Sequence, residues 1–179
     1  MAFGAILALL AVAATTEVPT RGILNQPAPK WEVKQWFNLP EGKQALEVAD
    51  FQNKVIYLYC FQSWCPGCHR HGFPTLQRVI KQFKDDPNVA IVAVQTTFEG
   101  FSHNGILQAK KIAKQYELTI PVGQSGAPSA RSKLMVNYRT GGTPWTVIID
   151  RNGIVRYNDF HIHPQHAIKL IKNLKKNGA

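Results

Sequence analysis

A chain of 179 residues, 45% of them hydrophobic, supplies one globular domain whose core folds unaided. Its three cysteines are too few to staple a disulfide scaffold, so a cysteine pair here is better read as chemistry than as framework. The net charge of +10 is dispersed over helical faces, at Lys110, Lys111 and Lys114 and at Lys169, Lys172, Lys175 and Lys176. With no nucleic-acid motif beside them, these lysines read as solvated faces open to anionic lipid or an acidic partner.

Residues 1–16 hold an apolar run from Phe3 to Ala14 with no charged side chain before Glu17. The run is too short to span a bilayer as a typical helix, and Ala11-Val12-Ala13 offers a small-x-small cleavage site. A signal peptide or short N-terminal anchor is expected, with the rest of the chain working in the periplasm or an equivalent extracytoplasmic space. A buried N-terminal helix is the structural alternative.

From Lys30 the pattern is that of a mixed α/β domain. Trp31–Phe37 reads as a strand, Pro40-Glu41-Gly42 as a turn, and Ala45–Val48 as a second strand completing an N-terminal β-hairpin. Val55–Phe61 is apolar and β-branched or aromatic almost throughout, which suits a central strand covered on both sides. Leu76, Val79, Ile80 and Phe83 follow at helical spacing, with Pro74 expected to kink that helix. Val89–Thr96 reads as a parallel neighbour, an amphipathic helix follows from Ile106, and a short strand is expected at 119–122. A brief helix falls within 123–138, Trp145–Asp150 is a strand, Arg151-Asn152-Gly153 turns it back, and His163–Lys176 is a closing helix.

Between the central strand and the first helix stands SWCPGCHRHG, which fits two templates. Cys65-Pro66-Gly67-Cys68 is a dithiol that can close into a small ring, and Cys65-x-x-Cys68-His69 is the spacing that attaches haem c. A thiolate at a helix N-terminus is stabilised by unpaired backbone N–H groups and the helix dipole, so Cys65 is the candidate nucleophile. Pro66 suits the first helical turn, and His69 is a candidate pKa tuner. Metal sites at Cys65/Cys68/His69/His71 or at His161/His163/His166 have ligand types but poor spacing, and no metal is assigned. Cys60, inside the strand, reads as an inert core thiol.

About eighty residues after the dithiol comes Gly141-Gly142-Thr143-Pro144, a proline standing just before a strand. A strand leading into WCxxC, a proline-bearing helix, a βα crossover, and TP before a final hairpin and helix together resemble the thioredoxin fold. The leading APKWEVKQW and closing GGTPWTVIIDRNGIV are similar to those of exported TlpA-like thiol-disulfide oxidoreductases. The resemblance implies a thioredoxin-like domain over residues 27–176, a central mixed β-sheet flanked by helices.

It also implies roles. Cys65 would be the attacking thiolate and Cys68 the resolving thiol; Thr143 and Pro144 would form a cis-proline loop that pairs with an extended substrate, beside Trp64, Pro66 and Gly67. Protein disulfides or dithiols, with an upstream redox partner, would be the substrates, and no cofactor beyond the cysteine pair would be needed. Three departures stand out. Tyr59 occupies the position of a buried aspartate, Trp145 follows Pro144 where some relatives carry glutamate, and Pro74 lies one residue further from Cys65, which calls for an adjustment around His71-Gly72. The alternatives are a metal-binding or redox-sensing module of the same fold, a peroxiredoxin, and a haem c protein.

Overall fold

The computed structural model describes residues 21–126 and 130–176; the expected signal peptide or anchor lies outside them. The residues that leave no polar face, Val55–Phe61, are all buried in one strand. The described strands are β1 (Gln35–Phe37), β2 (Val55–Phe61), β3 (Val89–Thr96), β4 (Val122–Ser125), β5 (Trp145–Ile149) and β6 (Val155–Phe160). They form one sheet in the order β1-β4-β3-β2-β5-β6, with β2, β3 and β4 parallel and β1, β5 and β6 antiparallel to their neighbours. The helices are α1 (Phe73–Phe83), α2 (Ile106–Gln115), α3 (Lys133–Asn137) and α4 (Pro164–Lys176).

Alternation along β2 divides the core. Tyr57, Tyr59 and Phe61 face a layer that contains Leu76, Val79 and Phe83 of α1, Ile112 of α2 and Ile171 of α4. Ile56, Leu58 and Cys60 face the other layer, with Trp31, Leu46, Leu134 and Tyr138. Cys60 therefore lies on the opposite side of the sheet from Cys65 and Cys68, which belong to the first layer.

The leading segment departs from the expected hairpin. Strand geometry survives only at Gln35–Phe37, and β1 pairs with β4 at the sheet edge instead of with residues 45–48. Glu32 adopts a positive φ of 52°, which breaks the extended run. No second strand is needed there, because the Glu47 carboxylate accepts the N–H groups of Trp31 at 2.6 Å and Glu32 at 2.8 Å. Glu47 is itself held by Asp50 at the start of a 3₁₀ turn over Val48–Phe51. The fourth strand also begins later than the expected 119–122, at Val122. The β5–β6 turn forms as expected, with the Asp150 carboxylate accepting the N–H groups of Asn152 and Ile154.

Glu47→Ala strips a charged acceptor from two backbone donors, one of them on the fully buried Trp31. We expect a loss of about 2 kcal/mol in urea unfolding, the scale of hydrogen bonds to a charged group. An unchanged midpoint would mean that water serves those amides equally well.

Candidate active site

β2 ends at Phe61, the chain turns through Gln62-Ser63-Trp64, and helical geometry begins at Pro66. Cys65 and Cys68 therefore stand at the entrance of a helix whose first amides lack intrahelical acceptors. Both cysteines are free thiols. The Cys68 N–H points at Cys65 Sγ over 3.3 Å, and the Cys65 thiol donates to the Thr143 carbonyl over 3.4 Å. Cys65 keeps 8% of its surface exposed and Cys68 none, so only the first can meet a partner.

Their proton affinities diverge for the same reason. The Cys65 thiol is held down to about 5, first by the hydrogen bond from Cys68, then by the Thr143 side chain and the backbone N–H groups of Cys68 and Gly67, against the opposing effect of burial. Cys68 is pushed far up, chiefly by burial and then by donating to Cys65. One thiolate and one thiol three residues apart form an asymmetric pair, with the nucleophile outside and the proton inside.

Opposite them runs Gly141-Gly142-Thr143-Pro144, and the Thr143–Pro144 peptide is cis. A Cβ placed on Gly67 would lie 3.2 Å from Pro144 Cδ, so the proline rests directly on the CPGC turn. Thr143 and Pro144 are half-buried and Pro66 is exposed, giving a rim around Cys65. Trp145 turns to the other face of the sheet, fully buried, with its indole N–H donating to Asn158 Oδ1 at 2.6 Å. The side chain after the proline thus takes no place beside the dithiol. Phe160 packs edge-on to Trp145 and lies over Gly142.

Trp64 is 48% exposed on the near rim. Its indole lies against Gly100, whose φ of +56° and close approach both favour glycine. Asn104 clamps this corner. Its Oδ1 accepts the Ser63 N–H and hydroxyl, and its Nδ2 donates to Gln62 Oε1 and to the carbonyls of Glu99 and Gly100. Asn104 and Gln62 are both 1% exposed. Neither falls in a motif; the only trace in the sequence is an Asn-Gly pair before an amphipathic helix.

His69, the candidate pKa tuner, has another job. Its Nε2 donates to the Ser63 carbonyl at 2.7 Å, which leaves Nδ1 to meet the Tyr116 hydroxyl at 2.7 Å. With both nitrogens engaged on oxygens, the ring braces the turn before Cys65 against the end of α2. The groups that lower Cys65 are Cys68, Thr143 and helix-start amides.

The extra residue before Pro74 is absorbed where the spacing calls for it. Cys68–Gly72 form a π-helical turn, closed by the Phe73 N–H on the Cys68 carbonyl, and Pro74 then sits in the first turn of α1. That wide turn holds one more residue than an ordinary helical turn and stands directly before Pro74.

Of the residues in the haem and zinc alternatives, His69 has both ring nitrogens hydrogen-bonded and Cys68 is buried in the core. His71 lies near His161 with ring centres 5.6 Å apart and tilted, and His163 lies edge-on to His166 at 5.9 Å. Among the described residues no group of three or more His, Cys, Asp or Glu side chains is placed to hold a metal. Cys60 is buried with its thiol pushed well up by burial alone.

Residues 24–158 match the model of the AhpC/TSA family. The thiol-disulfide oxidoreductase ResA of Bacillus thuringiensis subsp. konkukian is 26% identical over 115 residues, which cover 64% of this chain and 59% of that protein. ResA of Geobacillus kaustophilus is 26% identical over 109 residues, 61% and 56% of the two chains. The chain thus spans less than two thirds of the length of these curated relatives. Among solved structures, a thioredoxin-like superfamily protein superimposes with a TM-score of 0.78 at 31% identity, covering 86% of this chain and 98% of that one. A thiol-disulfide isomerase from Corynebacterium glutamicum gives 0.73 at 25% identity, covering 84% and 97%. The fold is thioredoxin-like, as the sequence resemblance implies.

A thiolate held down to about 5 has two measurable consequences. Ultraviolet thiolate absorbance and alkylation of Cys65 should rise with a midpoint near that pH, and Cys65→Ser should abolish both. Because the folded value lies below the ordinary 9.0, the reduced protein should gain stability as pH rises from about 5 to 9 and lose it as pH falls back through 5. Cys65→Ser should flatten that slope; a midpoint near 9 would remove the thiolate from the site.

Proposed function

The chain belongs to the AhpC/TSA family, and from that premise we propose that it is a thiol-disulfide oxidoreductase exchanging disulfides with protein partners through the Cys65–Cys68 dithiol. The observation that carries this reading is the asymmetry of the pair: a low-pKa sulfur at the rim and a sealed, protonated one behind it. The Cys65 thiolate attacks a partner disulfide, releasing one partner thiolate and leaving a mixed disulfide. Cys68 then attacks Cys65 Sγ, closing the internal disulfide and releasing the second partner thiolate, which takes up the proton that Cys68 gives up. The same steps run backwards for oxidation of a dithiol.

In this reading Trp64, Pro66, Gly67, Thr143 and Pro144 form the partner-binding rim. The backbone of Thr143, beside Cys65, is available to an extended segment. The electrons come from an upstream redox partner and no bound cofactor takes part. We place the reaction outside the cytoplasm, on the strength of the apolar run Phe3–Ala14. Among the described residues no helix is long and apolar enough to cross a membrane.

Two variants test the reading. Cys68→Ala should accumulate mixed disulfides on non-reducing gels, because the resolving step is gone, while Cys65→Ala should trap none. Wild type should reduce an insulin-type disulfide, and both variants should lose at least about a hundredfold of that turnover, the scale of removing an activated nucleophile or its resolving partner. Equal trapping through both variants would sink the roles. Peroxide consumption outpacing disulfide exchange would make the protein a peroxidase, and metal binding without exchange would make it a carrier.

A further inference from the structure

Tyr59 stands on β2 at 1% exposure, stacked on Phe61 with ring centres 6.0 Å apart and edge-on to Phe73 at 5.3 Å. These rings account for its ring and leave its hydroxyl unexplained. That hydroxyl is buried and makes no hydrogen bond of full geometry among the described residues, and the group it interacts with is the Cys68 thiol. An orphaned buried donor is costly and calls for an explanation.

Its position is fixed by Gly72. A Cβ there would fall 2.0 Å from the Tyr59 hydroxyl oxygen, so the hydroxyl occupies the side-chain space of the last residue in the π-helical turn. The first residue of that turn is Cys68. Tyr59, Cys65 and Cys68 belong to one buried cluster, and burial first, then charge on Cys68 and a hydrogen bond with it, oppose ionisation of the phenol. The Gly72 backbone lies against the hydroxyl, Cys68 is the group that acts on it ahead of Cys65, and the Cys68 sulfur gains charge during exchange.

We propose that the Tyr59 hydroxyl is the hydrogen-bond donor that stabilises negative charge on the Cys68 sulfur as the mixed disulfide is resolved. The inference rests on the exchange reading above. At rest, the Cys68 thiol donates to the Cys65 thiolate and has no need of a second donor. Once Cys65 is tied to a partner, that thiolate is gone and Cys68 must itself lose a proton in a dry site. Tyr59 O–H then points at Cys68 S⁻ while S⁻ attacks Cys65 Sγ; the Cys65–Cys68 bond forms, the Cys65–partner bond breaks, and the electron pair leaves on the partner sulfur. The proton from Cys68 ends on that departing thiolate. Burial holds the phenol in its protonated form, so Tyr59 donates a hydrogen bond and accepts no proton. In the reverse direction the same hydroxyl stabilises Cys68 as the leaving thiolate.

The experiment uses the reduced full chain and an aromatic disulfide whose released thiolate is coloured. The first equivalent of colour reports attack by Cys65, and the second reports resolution by Cys68. Tyr59→Phe keeps the ring and removes one oxygen. We expect the first phase to stay within about twofold and the second to slow about tenfold, the scale of a hydrogen bond to a charged sulfur. The variant should match or exceed wild type in urea unfolding, because an unsatisfied buried hydroxyl has been removed. An unchanged second phase in Tyr59→Phe, or both phases slowed alike, overturns the proposal. Absence of a second phase in wild type instead overturns the exchange reading on which it stands.

Discussion

The antiparallel register between β2 and β5 decides what can face the dithiol. Cys60 pairs with Trp145, so the residues just after β2 and those just before β5 leave the sheet side by side. That pairing lays Thr143 and Pro144 against the turn carrying Cys65 and Gly67. A slip of one residue would carry Trp145 out of its buried slot and turn Tyr57, Tyr59 and Phe61 away from α1. The two apolar layers on β2 resist such a slip, because every residue of the strand is buried. Thus core packing on both faces maintains a site lying at one end of the sheet.

Burial then divides labour between two chemically identical side chains. The helix entrance and Thr143 supply hydrogen bonds, and Cys65, at the mouth, collects enough of them to outweigh its desolvation. Cys68 lies one turn deeper, where desolvation dominates everything else. Neither thiol has an acidic neighbour among the groups that set its proton affinity. The Cys68 thiol, the Thr143 hydroxyl, backbone amides and depth do the tuning, which needs few added parts because the helix start and the sheet core exist for other reasons.

The parts legible in the sequence are those with short-range signatures. β2 showed as a continuous apolar run, α1 as helical spacing, the β5–β6 turn as Arg151-Asn152-Gly153, and the pair Cys65 and Cys68 with Thr143-Pro144 as motifs. What escaped depends on contacts across the chain. Glu47 replaces a strand for Trp31 and Glu32 from fifteen or more residues away, so alternation alone suggested a hairpin. Asn104 reaches back about forty residues to Gln62 and Ser63, and Tyr116 meets His69 from the end of α2. His69 looked like a charge beside a thiolate because it stands one helical turn after Cys65; its ring bonds place it against the Ser63 carbonyl and the Tyr116 hydroxyl.

The π-helical turn at Cys68–Gly72 has a consequence for how this molecule can vary. One added residue in an ordinary helix would rotate everything beyond it by about 100°, swinging Leu76, Val79 and Phe83 off the sheet. The wide turn takes up that rotation within five residues, so the apolar stripe keeps its phase while the cysteine turn keeps its own. Insertion length between the dithiol and Pro74 thereby becomes an adjustable coordinate, separate from side-chain identity. A chain lacking the extra residue would meet the same sheet with the same stripe, yet present a different set of side chains, including whatever replaces His69 and His71, to the end of α2 and the start of α4.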